Sequence, residues 1–185
     1  MGQVRYLFDQ RSSQLMVHAF ASGLVAIVAH SPRFSVQDFS GEAIFDAEDP
    51  AKCSMRMDVN PQSLSLVDEV NERDLREIQR VAFEEVLEAK RFPRISFEST
   101  GVTAASIGAN QYRAEIEGSL LLHGVRSPQS VTAQVIMNED SMRAYGECHV
   151  KQTNFGIRIV SIADGTLKIK DEVRIGFFII GRREG

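Results

Sequence analysis

No long apolar run occurs in this sequence. A membrane-spanning helix needs roughly 20 consecutive apolar residues. The longest candidate, Leu24 to Ala29, is about a third of that, so stable membrane insertion is not expected. The first residues, Met1-Gly2-Gln3-Val4-Arg5-Tyr6, contain no apolar signal-peptide core and already alternate like a strand. Tyr6 occupies the place where a myristoylation pattern needs Ser or Thr. If Met1 is the native start, a cytoplasmic protein is expected. Cysteine is scarce, with only Cys53 and Cys148. Both fall at apolar phases of separate strands and read as small buried hydrophobes; whether they approach each other is not set by spacing. A cationic stripe is also missing. Lys and Arg number 21 against 25 Asp and Glu, for a net charge of -4, and the basic residues are scattered. A nucleic-acid groove needs a concentrated cationic surface to displace counterions, so that class of partner is excluded.

Local catalytic signatures are absent as well. There is no Gly-x-Ser-x-Gly elbow, P-loop, dinucleotide glycine fingerprint or His-Glu-x-x-His. The four histidines, His18, His30, His123 and His149, show no paired ligand spacing, and the adjacent Cys148 and His149 point to opposite faces of a strand. The acidic stretch Asp46-Ala47-Glu48-Asp49-Pro50 lacks the spacing and glycine of a calcium loop and reads as a turn. Carboxylates sit in turns and on a helix, where solvated charge is expected, and no apolar segment isolates a pair for acid–base work. No catalytic residue, metal ligand or cofactor is nominated.

What the chain does have is alternation. Val131, Ala133, Val135 and Met137 alternate with polar neighbours, as do Met142, Ala144, Gly146, Cys148 and Val150, and then Val173, Ile175, Phe177 and Ile179. Period-two patterning places each set on one face of a pleated strand. Consecutive strands joined by short turns form antiparallel hairpins. With few helices to cover the apolar face, a sheet closed on itself is the economical solution. At 185 residues the chain is read as one domain, residues 1–185.

Strands are predicted at Gln3–Phe8 and Gln14–Phe20, then a short helix or irregular crossover from Gly23 to His30. Arg33 to Phe45 reads as a long strand with a bend near Asp38 and Gly41. Cys53 to Val59 alternates, and one long helix runs from Asn71 to Arg91. Asn71 is its N-cap, and Leu75, Ile78, Ala82 and Val86 form its apolar stripe, which should dock on the barrel. Pro93 stops it. Ser106–Asn110 is expected as a loop, Tyr112 to Leu122 as a strand and Gly124–Ser127-Pro128 as a turn. The total is roughly eight or nine strands.

The inward apolar positions are the candidate site. They are Phe20, Phe34, Phe45, Met55 and Met57 from the first half of the chain, and Phe97, Leu120, Leu122 and Phe177 from the second. In a small barrel such residues either fill the lumen or line a cavity for one apolar ligand.

Several phrases together resemble the YceI-like family of lipid-binding proteins. They are Phe45-Asp46-Ala47-Glu48-Asp49-Pro50, Arg91-Phe92-Pro93-Arg94-Ile95-Ser96-Phe97, Leu122-His123-Gly124-Val125-Arg126-Ser127-Pro128, Thr153-Asn154-Phe155-Gly156-Ile157 and Asp171-Glu172-Val173-Arg174-Ile175, in order from about Tyr6 onward. The resemblance implies an eight-stranded, lipocalin-like antiparallel barrel with a helix packed beside it. It also implies an apolar lumen holding an isoprenoid-type chain, such as a polyprenyl lipid or a quinone tail, with no catalysis. His30 and His123, both in family-like phrases, are then head-group contacts. The family is bacterial, with many exported members. Its usual aromatic pair before the Pro motif is Val86-Leu87 here. Two alternatives stay open: a structural or stress-related interaction domain with a filled lumen, which leaves a homodimer open, and an enzyme acting on a lipid.

Overall fold

A computed structural model of the chain describes residues 2–22, 31–162 and 167–185. The strands are β1 (Val4–Phe8), β2 (Gln14–Ser22), β3 (Arg33–Val36), β4 (Phe39–Phe45), β5 (Ser54–Val59) and β6 (Leu64–Leu66). After helix α1 (Glu72–Arg80) come β7 (Ile95–Gly108), β8 (Gln111–Leu122), β9 (Val125–Met137), β10 (Ser141–Lys151), β11 (Ser161–Ile162) and β12 (Leu167–Arg183). The segment expected as a short helix or crossover, Gly23 to His30, lies outside the described residues.

Every strand pairing is antiparallel. The path β1-β4-β5-β7-β8-β9-β10-β12 returns to β1 through Tyr6–Arg183 and Phe8–Gly181, closing an eight-stranded barrel. The 17-residue β12 is long enough to hold two partners on one edge. Its C-terminal part pairs with β1, and its stretch Lys168–Phe178 pairs with β2, which carries on to β3 and β6.

The expected bend in the Arg33–Phe45 strand is real and has a cause. Gln37 and Asp38 leave the ladder, and the Gln37 and Asp38 amides donate to Ser63 O and Ser63 Oγ at 3.1 and 2.9 Å. The facing chain breaks at the same level, where Asn60 caps a short 3-10 turn over Pro61–Ser63. The wall therefore divides into a closed half (β1, β4, β5) and a flap (β2, β3, β6).

β6 and β7 do not pair, and α1 stands between them in the chain. Asn71 caps α1 as expected, its side chain accepting from Asp74 N at 2.9 Å. The helix then departs from the sequence expectation. Regular α-helix ends at Arg80, and Val81–Val86 form a π-helical turn with Leu87 N donating to Ala82 O. The wider turn broadens the apolar stripe: Val81 and Leu87 join Ile78, Ala82 and Val86 on the cavity side, while Leu75 is half-buried at the start of the helix. A π-turn adds one residue to a turn, which no count of 3.6-residue spacing anticipates. The helix thus completes the wall beside the flap.

Two loop expectations are corrected. The β8–β9 turn is only His123-Gly124, both at positive φ (53° and 74°), and Val125–Pro128 already belongs to β9. Pro128 pairs with Ser119 of β8, in the part of β9 where pairing with β10 has ended, so its missing N–H costs no ladder bond there. Likewise Ser106–Gly108 continues β7, and the turn falls on Ala109-Asn110, with Asn110 at φ 55°.

Candidate functional site

The barrel encloses a cavity of about 390 Å³, within the range of small-molecule sites. Buried packing concentrates toward its two ends. One cluster includes Met142, Ala144 and Ile179, and the other Leu122, Val150, Phe155 and Ile157. The alternating sets read from the sequence all face inward: Val131 to Met137 on β9, Met142 to Val150 on β10 except Gly146, and Val173 to Ile179 on β12 line the cavity. Glu77 is the single charged residue among the described lining residues.

Of the nine apolar candidates, Phe34, Phe45, Met55, Met57, Phe97, Leu120, Leu122 and Phe177 line this cavity. Phe20 does not, which corrects its assignment. On β2 the inward phase is Leu15, Val17 and Ala19, so Phe20 turns outward with His18. The two rings meet at 4.2 Å between centroids, and the Arg174 guanidinium lies 5.6 Å from the Phe20 ring. The misassignment came from choosing by residue size over strand phase. His30 lies outside the described residues.

His123 is not at the lumen surface either. Its ring nitrogens are bonded to Phe155 O at 3.2 Å and Glu88 Oε2 at 2.6 Å, and the ring packs on Phe92 at 4.5 Å. It ties the helix end to the β8–β9 hairpin, and the His123 bond holds the Glu88 carboxyl below its ordinary value. A head-group contact would require breaking this bonded pair.

The room in the lumen depends on glycines that the residue-size argument passed over. Gly41, Gly118 and Gly146 sit at inward phases of β4, β8 and β10. A Cβ on Gly41 would stand 2.5 Å from the Phe8 ring, and one on Gly118 would collide with the Phe97 ring. One on Gly146 would meet Phe177 at 3.0 Å. Each aromatic ring therefore occupies the space that a side chain at the glycine would take.

Polar lining was also missed, because a glutamine at an inward phase looks like an interruption of the pattern. Gln129 and Gln152 both line the cavity, toward the Lys151 end of β10. Gln152 is 6% exposed, and its Nε2 donates to Lys170 O at 2.9 Å. That carbonyl falls in the register shift of β12 between Ile169 and Val173. Gln129 Nε2 donates to His149 O at 3.1 Å and Ser130 O at 2.9 Å.

Cys53 and Cys148 are free thiols, and both line the cavity. Burial, reinforced by Glu147, pushes the Cys148 thiol up to about 11. The acidic turn after Phe45 has ordinary turn chemistry: Asp46 Oδ1 accepts from Glu48 N and Asp49 N at 2.9 and 3.1 Å. No group of three or more His, Cys, Asp or Glu among the described residues could hold a metal ion. No helix among them is long and apolar enough to cross a membrane.

Comparison with known proteins gives a consistent neighbourhood. The YceI-like domain family matches residues 6–179. A UPF0312 protein of Pseudomonas aeruginosa (strain LESB58) is 27% identical over 149 residues, 77% of this chain and 72% of that protein. Among solved structures, BcnA of Burkholderia cenocepacia superposes with a TM-score of 0.70 at 21% identity, covering 94% of this chain and 98% of that one. A polyisoprenoid binding domain from Saccharophagus degradans, implicated in plant cell wall breakdown, gives 0.65 at 11% identity, covering 97% and 98%.

Proposed function

This chain belongs to the YceI-like domain family, and from that premise we propose that it binds or carries a long apolar lipid, of isoprenoid type, in the barrel lumen. The observation that carries the reading is the cavity of about 390 Å³, walled by alternating apolar side chains and reached by a single charged residue, Glu77, among those described. A structurally similar domain named for polyisoprenoid binding supports the ligand class, and supports a binding protein over an enzyme.

Physical chemistry favours the same occupant. Burying apolar chain contributes about 0.8 kcal/mol per methylene, so ten enclosed methylenes contribute roughly 8 kcal/mol before ordering costs. The alternative of a lumen filled by its own side chains is harder to reconcile with the open volume. The rings of Phe8, Phe97 and Phe177 take up the space left by the inward glycines at positions 41, 118 and 146.

Organic extraction of the purified protein followed by mass spectrometry tests the proposal. The expected result is one long-chain apolar lipid near stoichiometric amount. An extract without lipid, from protein that also fails to take up added geranylgeraniol, overturns it.

A further inference from the structure

One end of the lumen is lined by two glutamines, Gln152 buried and Gln129 half-buried, whose amide oxygens accept no hydrogen bond among the described residues. Gln152 is 6% exposed and lines the cavity. Its amide nitrogen is committed to Lys170 O at 2.9 Å, which fixes the amide orientation, since the opposite one would set oxygen against oxygen. The amide oxygen Oε1 then accepts no hydrogen bond among the described residues, and yet no buried side-chain oxygen lacks a partner. Oε1 therefore keeps accessible surface, and the space that Gln152 lines is the lumen. Gln129 repeats the arrangement: its nitrogen serves His149 O and Ser130 O, and its oxygen has no donor among the described residues.

An amide oxygen is an acceptor with two lone pairs. In an apolar surrounding it gains from a donor and gains nothing from another acceptor. Ionised phosphates and carboxylates offer acceptors, and no cation lines the lumen among the described residues to offset their charge.

We propose that Gln152, assisted by Gln129, is a specificity-determining residue that selects a neutral lipid carrying a hydroxyl donor over the corresponding phosphate, carboxylate or ether. The inference rests on the lumen being the lipid site. It adds which end the polar group occupies and what that group must be: a hydroxyl, alcoholic or phenolic, placed at the Gln152 end with the apolar chain running toward Met142 and Ile179.

The test compares three probes on the full chain: geranylgeraniol, its methyl ether and its monophosphate. One net hydrogen bond predicts that the alcohol binds roughly five- to tenfold tighter than the ether, with the monophosphate weaker still. Gln152→Met keeps the side-chain length and removes the acceptor along with the donor to Lys170 O, so the alcohol-to-ether ratio, read on that one variant, should fall to about one. Gln129→Met should lower the ratio partly. The wild-type comparison needs no variant to fold. Equal affinity for alcohol and ether overturns this inference and leaves lumen binding intact. Tighter binding of the monophosphate also overturns it. Binding of none of the three removes both the inference and the reading beneath it.

Discussion

Glu88 and His123 face each other where the helix meets the β8–β9 hairpin, each in the left-handed backbone region, at φ 42° and 53°, with Glu88 Oε2 2.6 Å from His123 Nε2. Neither is a glycine, so both turns carry conformational strain that the contact between them offsets. His123→Ala removes this bond, frees Phe155 O and unstacks Phe92. A loss of about 1–2 kcal/mol is expected, read as a lower thermal midpoint.

The same contact predicts a pH dependence. The Glu88 carboxyl is held below its ordinary value of 4.5, first by the His123 bond. A carboxyl lowered in the folded state contributes stability that is present above the ordinary value and lost as pH falls through the lowered one. The difference in thermal midpoint between the wild type and Glu88→Gln should be full near about pH 6 and should close on acidification below pH 4.5. A gap that persists unchanged in acid would contradict this assignment.

Gly118→Ala should destabilise the barrel by about 1–3 kcal/mol, as overpacking does. The added methyl collides with the Phe97 ring and comes within 2.6 Å of Glu98 O, which is backbone and cannot rotate away. Gly101→Ala on the adjacent strand β7, where an added Cβ meets nothing within 4 Å, is the control and should change stability far less. Chemical denaturation of both variants makes the comparison.

Cys148 reports on the lumen. With its thiol pushed up to about 11 by burial, iodoacetamide at pH 8 should modify it slowly, and faster as pH rises toward that value. Delipidated protein should react faster than lipid-loaded protein, because the route to Cys148 is the cavity it lines. Mass spectrometry of the alkylated peptide provides the rates; equal rates in both forms would place the lipid elsewhere.

Filling the lumen should weaken binding while leaving the barrel standing. Val131→Trp projects an indole inward from β9. At about 0.8 kcal/mol per excluded methylene, displacing two or more methylenes should weaken lipid binding roughly tenfold or more, with far-ultraviolet circular dichroism unchanged.

Much of this arrangement was legible from alternation alone, since strand phase determines side-chain direction. The inward sets on β9, β10 and β12 follow directly from Val131, Met142 and Val173 onward. Phe20 was misplaced because its bulk suggested a lumen residue, whereas its neighbours Val17 and Ala19 carry the inward phase. Val81 and Leu87 were not legible from uniform helical spacing, because the π-turn at Val81–Val86 brings them to the inward face beside Ile78, Ala82 and Val86. His123 could be placed at a hairpin by the following Gly124. Its bond to Glu88 joins residues 35 apart in sequence and is set only by how the helix lies on the barrel.

The strand β12 has a consequence for how the protein comes into being. It supplies edges to β10, β1 and β2, so residues at the two ends of the sequence, such as Tyr6 and Arg183, must meet before the wall is continuous. On the ribosome, the hairpins from β7 to β10 can form as they emerge, but the strand ladder does not close until Arg183 has left the exit tunnel. Closure over such sequence separation is slow relative to hairpin formation. On the proposed function, a lipid would be loaded after translation, or trapped at the moment β12 zips shut.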